Sequence, residues 1–165
     1  MKKMLALVLG LAFLATACTP GIVVMAPTVP VHSFGSLAIQ HDAADFLASI
    51  KGKKNEAEYQ DLVGAADTQL AGHVRNWAAK SWKGTAGARP LTVRLKLEHY
   101  NTGSGAAKFF LGSIANGKLQ YLVSLEDRGK VIGQFRFMAE VQLTGSSAAF
   151  WNMAKQIEAR IKATN

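Results

Sequence analysis

Alternation of apolar and polar residues is the feature that most restricts the fold of this 165-residue chain. The second half shows it in three segments, 91–100, 118–126 and 131–143. Successive side chains of a strand point to opposite faces, so each segment predicts a strand with one buried face. The residues Asp127–Lys130 have the composition of a tight turn. The last two strands are therefore predicted to form an antiparallel hairpin.

Apolar residues three or four positions apart predict two helices. The first helix covers residues 55–82, and its apolar stripe consists of Tyr59, Leu62, Val63, Ala66, Leu70, Val74 and Trp77. The second begins at Ser146 or Ser147, either of which can cap it, and its apolar side consists of Phe150, Ala154, Ile157 and Ile161.

The order of these elements predicts the fold class. A short strand is predicted at 33–40, whereas 42–50 is compatible with a loop or a helical turn. Amphipathic helices bury their apolar side against one face of a sheet. We therefore predict an α+β domain with a small antiparallel sheet of about four strands. The long central helix and the C-terminal helix cover one face of this sheet.

The N-terminal segment has the pattern of an export signal. Two lysines precede the uncharged, mostly apolar run Met4–Leu14, which is shorter than the roughly 20 residues that span a bilayer. Small residues follow, and the only cysteine of the chain, Cys18, comes directly after them. Residues 1–17 are therefore predicted to be a signal peptide, cleaved between Ala17 and Cys18.

These residues also resemble the lipobox of bacterial lipoproteins, in which the cysteine is diacylated and, after cleavage, acylated on its new amino group. The common pattern has Leu three positions before the cysteine, where this chain has Ala15 after Leu14. The resemblance implies that Cys18 is the lipid attachment site. The alternative is an ordinary secretory signal followed by an unpaired cysteine. Thr19 replaces the Asp that commonly causes inner-membrane retention, which favours the periplasmic side of the outer membrane.

The segment 18–32 contains three of the four prolines of the chain. Prolines exclude a helix and favour an extended segment, so we predict a tether that starts at the acylated cysteine. Its apolar stretch 21–25 is expected either to lie on the domain or to add an edge strand. Residues 33–165 are long enough for one domain with its own core.

Charge narrows the class of partner. Without the two lysines of the signal, 17 basic residues remain against 11 acidic ones, a net charge of about +6. An exported protein rarely meets nucleic acid, so we expect no nucleic-acid partner. Anionic lipid headgroups, an acidic envelope polymer, or a basic surface without a ligand all fit this charge. We expect membrane contact through the lipid anchor, and a partner protein or self-association.

The glycine-rich segment 102–113 is the candidate contact site. Its residues of interest are Gly103, Gly105, Lys108, Phe109 and Phe110. The segment lacks the spacing and the Lys-Ser/Thr pair of a phosphate-binding P-loop. Two interpretations remain: the phenylalanines belong to the core, or one of them forms a protein or membrane contact.

Two motifs resemble those of a bacterial lipoprotein family known only as a domain of unknown function. They are the glycine-containing segment 103–112 and the strand end Leu125–Lys130. The resemblance covers Ser33–Ala163, and the family is distantly similar to the curli-secretion lipoprotein. It implies a shared fold and a role in envelope assembly, and it carries over no catalytic residue.

The histidines and serines form no recognisable active site. The four histidines, His32, His41, His73 and His99, are not spaced as metal ligands, and no serine stands in a G-x-S-x-G motif. We expect His73 and His99 to be partly buried and hydrogen-bonded. The sequence therefore predicts no catalytic residue, no metal and no small-molecule cofactor.

Three strand carboxylates, Glu98, Glu126 and Glu140, leave an alternative open. We expect them to balance neighbouring cations such as Arg94, Lys96 and Arg136. Paired carboxylates also cleave glycans. A non-enzymatic envelope lipoprotein is the preferred hypothesis, and a cell-wall hydrolase is the alternative.

Overall fold

The computed structural model describes residues 21–101, 117–141 and 146–164. Their elements follow in the order β1 (Ile22–Met25), a 3-10 turn (Val31–Ser33), β2 (Ser36–Asp42), α1 (Ala44–Ile50), α2 (Glu56–Ala65), a π-helical segment (Ala66–Ala71), α3 (Gly72–Ser81), β3 (Pro90–Asn101), β4 (Gly117–Asp127), β5 (Lys130–Val141) and α4 (Ser146–Lys162). The predicted signal peptide, its cleavage site and the candidate contact residues lie outside the described residues: Ala17, Cys18, Gly103, Gly105, Lys108, Phe109 and Phe110.

The five described strands form one sheet in the order β1-β5-β4-β3-β2. The neighbours β3, β4 and β5 are antiparallel, as the alternating segments predicted. Arg128 and Gly129 in the β4–β5 turn have φ angles of 52° and 81°. Positive φ at both central positions is what the common two-residue hairpin turn requires. The predicted hairpin is therefore confirmed.

The sheet differs from the predicted one in the number and direction of its strands. A fifth strand, β1, arises within the segment predicted as a tether and pairs antiparallel with β5. The other edge strand, β2, lies parallel to β3. Parallel neighbours need a long crossover, which here runs through α1 to α3. The α+β class is confirmed, but the sheet is mixed and five-stranded rather than antiparallel with about four strands.

One face of the sheet, which we call the covered face, packs against the helices. A row across its three central strands consists of Leu95, Val123 and Phe135, which are essentially inaccessible to solvent. Burying each such side chain contributes about 1.5–3 kcal/mol. The helices complete this core with Phe46, Leu70, Val74, Trp77, Phe150, Met153, Ile157 and Ile161.

The predicted helix 55–82 exists as a continuous helical run that contains the π segment Ala66–Ala71. The stripe residues from Ala66 onwards are buried, whereas Tyr59, Leu62 and Val63 are only partly buried. A π segment widens the turn, so α2 and α3 do not continue one regular stripe. This explains why α2 contributes no fully buried residue.

The closing helix α4 also anchors β1. Its Arg160 donates a hydrogen bond of 2.6 Å to the carbonyl oxygen of Gly21, directly before β1. The stripe predicted for this helix is buried. None of the helices in the described part of the chain has the length and apolar character to cross a membrane.

Candidate interaction face

The second side of the sheet, which we call the open face, carries polar side chains instead of the apolar core. The core cluster includes none of the residues that define this face. The polar ones are Gln40, Asp42, Thr92, Arg94, Lys96, Glu98, Gln120, Ser124, Glu126, Gln134 and Arg136, and the apolar Leu122 lies among them between Lys96 and Arg136. Antiparallel sheets commonly expose one polar face to water, so polarity alone does not identify a site.

The first charged group of the open face joins Arg94 to Glu126. The Arg94 guanidinium donates two hydrogen bonds to the two carboxylate oxygens, at 2.8 and 3.2 Å. Asp42 adds a third contact, 3.6 Å from the same guanidinium. A planar guanidinium that meets a carboxylate with two bonds has a fixed orientation. Glu126 is consequently only 8% exposed.

The second group joins Glu98 to Arg136. Two hydrogen bonds, at 2.9 and 3.4 Å, run from the guanidinium to the carboxylate, and the amide of Gln120 donates a third at 2.7 Å. The Arg136 bond holds the pKa of Glu98 below its ordinary value, although partial burial opposes this effect. Both groups therefore carry charges that are already matched and oriented.

These contacts test the prediction made from the sequence for the strand carboxylates. The prediction that strand carboxylates balance neighbouring cations is confirmed for Glu98 and Glu126. Their partners are Arg136 and Arg94, whereas Lys96 reaches instead to Asp45 in α1. Glu140 is exposed on β5.

An apolar margin, formed by Ile22 and Met138, borders the polar part of the open face. Ile22 pairs with Arg136 across the β1–β5 ladder, and Met138 lies two residues further along β5 on the same side. Each side chain is 48% exposed. The two apolar groups thus flank a guanidinium that is held in place by Glu98, which is a combination typical of interaction surfaces.

His41 forms a separate polar network on the covered side. Its ring nitrogen Nε2 lies 2.9 Å from the hydroxyl of Tyr121, and Nδ1 lies 3.7 Å from a carboxylate oxygen of Asp67 in the π segment. Arg75 donates to the same carboxylate oxygen at 2.8 Å. The imidazole side chain is only 5% exposed.

This network has a structural role. A neutral ring that carries its proton on Nδ1 directs that N–H toward Asp67 and leaves Nε2 to accept from Tyr121. The Tyr121 side chain is fully buried, so no substrate reaches its hydroxyl. The network therefore connects the π segment to β2 and β4.

Two of the remaining histidines differ from the expectation drawn from the sequence. His73 and His99 are exposed rather than partly buried, because His73 lies on the outer side of α3 and His99 points away from the core near the end of β3. His32 stacks on Trp82. Among residues 21–101, 117–141 and 146–164, no three His, Cys, Asp or Glu side chains come together as a metal site.

Comparison with known proteins gives limited similarity. No protein-family model matches the chain, and no curated protein matches it. Among solved structures, the chain is similar to one chain of a dodecameric single-substitution variant of PelC from Paraburkholderia phytofirmans, with 10% identity and a TM-score of 0.49, over 88% of this chain and 99% of that one. A second PelC dodecamer structure from the same organism gives 11% identity and a TM-score of 0.48, over 87% and 98% of the two chains. The function must therefore be inferred from the chain's own residues.

Sequence reasoning missed the apolar margin and the His41 network. Ile22 belongs to a segment predicted as a tether, and nothing near Met138 in the sequence indicates that the two residues lie on the same side of the sheet. The alternation of β5 does place Met138 on the polar side of its strand, where an apolar residue is unexpected. The apolar Met138 on the polar side of β5 was therefore the sequence signal for the apolar margin.

Proposed function

We propose that this chain is a lipid-anchored protein of the bacterial cell envelope that acts by binding protein rather than by catalysis. A second copy of the chain is the first candidate partner, and another envelope protein is the second. The juxtaposition of Ile22, Arg136 and Met138 on the open face carries the proposal.

The open face supports protein contact because two of its arginines are held in place before any partner binds. Arg94 and Arg136 each make two bonds to a carboxylate, so little rotamer freedom is left to lose. Binding costs about 0.5–1.5 kcal/mol for each side chain that must be immobilised. The matched charges therefore favour a flat, pre-organised contact around the exposed apolar margin.

The edge strand β1 favours contact through side chains over strand addition. It is four residues long, its pairing register shifts between Val23 and Met25, and Pro27 follows. Short length, a bulge and proline are devices that block edge-to-edge pairing. Ile22 and its exposed neighbours Val23 and Val24 are thus better suited to side-chain packing.

The predicted anchor is compatible with this location. Gly21 is the third residue after Cys18, and three residues reach at most about 10 Å. Acylation of Cys18 would therefore keep the apolar margin near the outer membrane. The margin could then contact neighbouring proteins that are anchored in the same membrane. Restricting partners to a membrane surface raises their effective concentration.

The alternative, a cell-wall hydrolase, finds less support in the carboxylates. A general acid of a glycosidase needs a raised pKa, whereas the pKa of Glu98 is lowered. Glu126 is covered by Arg94, which bonds to both of its oxygens. Each carboxylate is thus already bound by an arginine, which favours a structural role over catalysis.

Photo-crosslinking of the acylated protein in membranes tests the proposal. A photoreactive side chain at position 138 is expected to give a crosslinked product, and Ile22→Thr is expected to reduce its yield. Val131→Thr is the matched control, because Val131 is also an exposed β-branched residue but lies beside the hairpin turn. No product at position 138, or an equal loss with Val131→Thr, would contradict the assigned surface.

Purified sacculi test the alternative in parallel. If the wild-type protein releases soluble fragments and Glu98→Gln or Glu126→Gln abolishes the release, the protein is a hydrolase and the non-enzymatic proposal is wrong. Absence of release from wild-type protein removes the alternative.

A further inference from the structure

One end of the domain combines stacked aromatic rings with an excess of cations. The rings of His32 and Trp82 lie parallel, with centroids 4.8 Å apart and an interplanar angle of 0°. Both residues are half-buried. They belong to the 3-10 turn before β2 and to the segment after α3, which meet at the end of the sheet near the β4–β5 turn.

Backbone contacts fix this ring pair in position. The indole N–H of Trp82 donates to the carbonyl of Phe34 at 3.4 Å. The main-chain N–H and the hydroxyl of Thr85 both donate to the carbonyl of His32, at 3.1 and 3.0 Å, and Nδ1 of His32 lies 3.3 Å from the carbonyl of Lys83. The stack is therefore a preformed platform.

Exposed cations lie at the same end of the domain as this platform. Lys162 lies 5.2 Å from the ring centre of Trp77, which contacts Trp82 edge-on at 6.1 Å. Arg89 lies over Phe34. The exposed cations of this end, which we call the basic end, are Lys80, Lys83, Arg89, Arg128, Lys130 and Lys162.

Only one carboxylate contacts these cations among the described residues. Asp127 accepts two hydrogen bonds from Arg89, at 2.7 and 2.6 Å. The other cations of the basic end form no ion pair within the described part of the chain. This differs from the open face, where Arg94 and Arg136 are matched by carboxylates.

We propose that the basic end is a binding site for an acidic polysaccharide. The His32–Trp82 pair offers an apolar ring surface on which the C–H face of a sugar can pack, and the cations of the basic end attract its carboxylates or sulfates. An acidic polypeptide would pair with the cations of the basic end but would not pack on the His32–Trp82 rings. A neutral glycan would pack on these rings but would not pair with the cations.

The position of the basic end is independent of the proposed protein contact. β1 pairs with β5 at Arg136 and runs toward the β4–β5 turn, and Lys130 lies six residues from Arg136 along the strand. At about 3.4 Å per residue this distance is roughly 20 Å. The inference thus goes beyond the proposed function, and both surfaces can be occupied together.

Binding of the full-length acylated protein in detergent micelles to polygalacturonate tests the inference. Polyglutamate supplies carboxylates like those of polygalacturonate but has no sugar rings. Dextran has sugar rings but no charge. We expect polygalacturonate to bind about tenfold more tightly than either, and added salt to weaken the binding. A single-stranded oligonucleotide offers both rings and charge. Equal binding of polyglutamate or of the oligonucleotide, or no binding of polygalacturonate, would overturn the inference.

Variants locate the site. The triple change Lys80→Gln, Lys83→Gln and Lys130→Gln is expected to weaken polygalacturonate binding about tenfold. The matched triple change Lys51→Gln, Lys53→Gln and Lys54→Gln removes the same charge from the α1–α2 connection and is expected to have no effect. Equal losses in both triples would mean that only net charge matters and would refute the site.

A ring variant separates stacking from charge. His32→Ala removes one ring of the stack, and Trp151→Ala is the control because Trp151 is exposed on α4 beside Lys155. We expect only His32→Ala to weaken binding, with both melting temperatures close to that of wild type. Unchanged binding of His32→Ala would refute the ring platform.

Discussion

Nε2 of His41 lies 2.9 Å from the hydroxyl oxygen of Tyr121. The contact connects the edge strand β2 to the sheet centre beneath the helices. Burial lowers the pKa of His41 below its ordinary value of 6.5; Asp67 and Asp42 oppose this shift, and Arg75 reinforces it. The ring therefore remains neutral in the folded protein under conditions in which it is protonated in the unfolded chain.

The sign of this shift predicts how stability changes with pH. Below about pH 6.5 the unfolded chain binds more protons than the folded one, so the free energy of unfolding falls as pH decreases. We expect a lower urea midpoint at about pH 5 than at about pH 7.5, and a smaller difference in His41→Gln. The control His73→Gln changes an exposed histidine and should keep the wild-type difference. Identical pH profiles for wild type and His41→Gln would refute this role.

Removal of the Tyr121 hydroxyl tests the contact directly. Tyr121→Phe leaves Nε2 of His41 buried without a partner, and an unsatisfied buried acceptor costs about 1–3 kcal/mol. We expect the free energy of unfolding to fall by this amount in urea titrations. In a double-mutant cycle with His41→Gln, the two losses should be strongly non-additive. Additive losses would show that the residues do not interact.

Two glycines are expected to respond oppositely to alanine. A Cβ at Gly84 would overlap the carbonyl oxygen of Phe34, whereas a Cβ at Gly64 in α2 meets no neighbouring atom. We expect Gly84→Ala to lower the free energy of unfolding by about 2–4 kcal/mol and Gly64→Ala to raise it by up to about 1 kcal/mol. Melting curves check both, and a harmless Gly84→Ala would contradict the close approach of the two segments.

Replacement of Cys18 tests the anchor. Cys18→Ser removes the thiol that would be acylated, so we expect an unprocessed precursor or a soluble product in place of a detergent-phase species. Phase partitioning and the mobility of the protein on gels measure the outcome. A Cys18→Ser protein that still fractionates as a processed, detergent-phase species would exclude the lipobox interpretation.

The sequence predicted the elements whose pattern is local. Alternation placed β3, β4 and β5 correctly because each strand has one buried face, and spacing placed α4 and most of the long helix. The direction of β2 was not predictable, since Ser36–Asp42 does not encode whether its neighbour is parallel. β1 was missed as a definite strand because its four apolar residues give too short a pattern.

The candidate surfaces depend on contacts between distant residues, which limited their prediction. The open face was predictable as the polar side of three strands, and the balance of Glu98 and Glu126 by arginines followed from it. The apolar margin was not predictable, because it forms only when β1 pairs with β5 and brings Ile22 close to Met138. The same holds for His41 and Tyr121, which are 80 residues apart.

The parallel pairing of β2 with β3 also has a consequence for folding kinetics. Ser36 pairs with Pro90, 54 positions later, whereas the β4–β5 hairpin closes over a two-residue turn. Contacts between distant residues carry the larger loop-closure cost and form late. We therefore expect β2 to join after the hairpin, and substitutions at His41 to accelerate unfolding while leaving the folding rate nearly unchanged. We therefore expect the edge strand to determine how long the folded state survives rather than how fast it is reached.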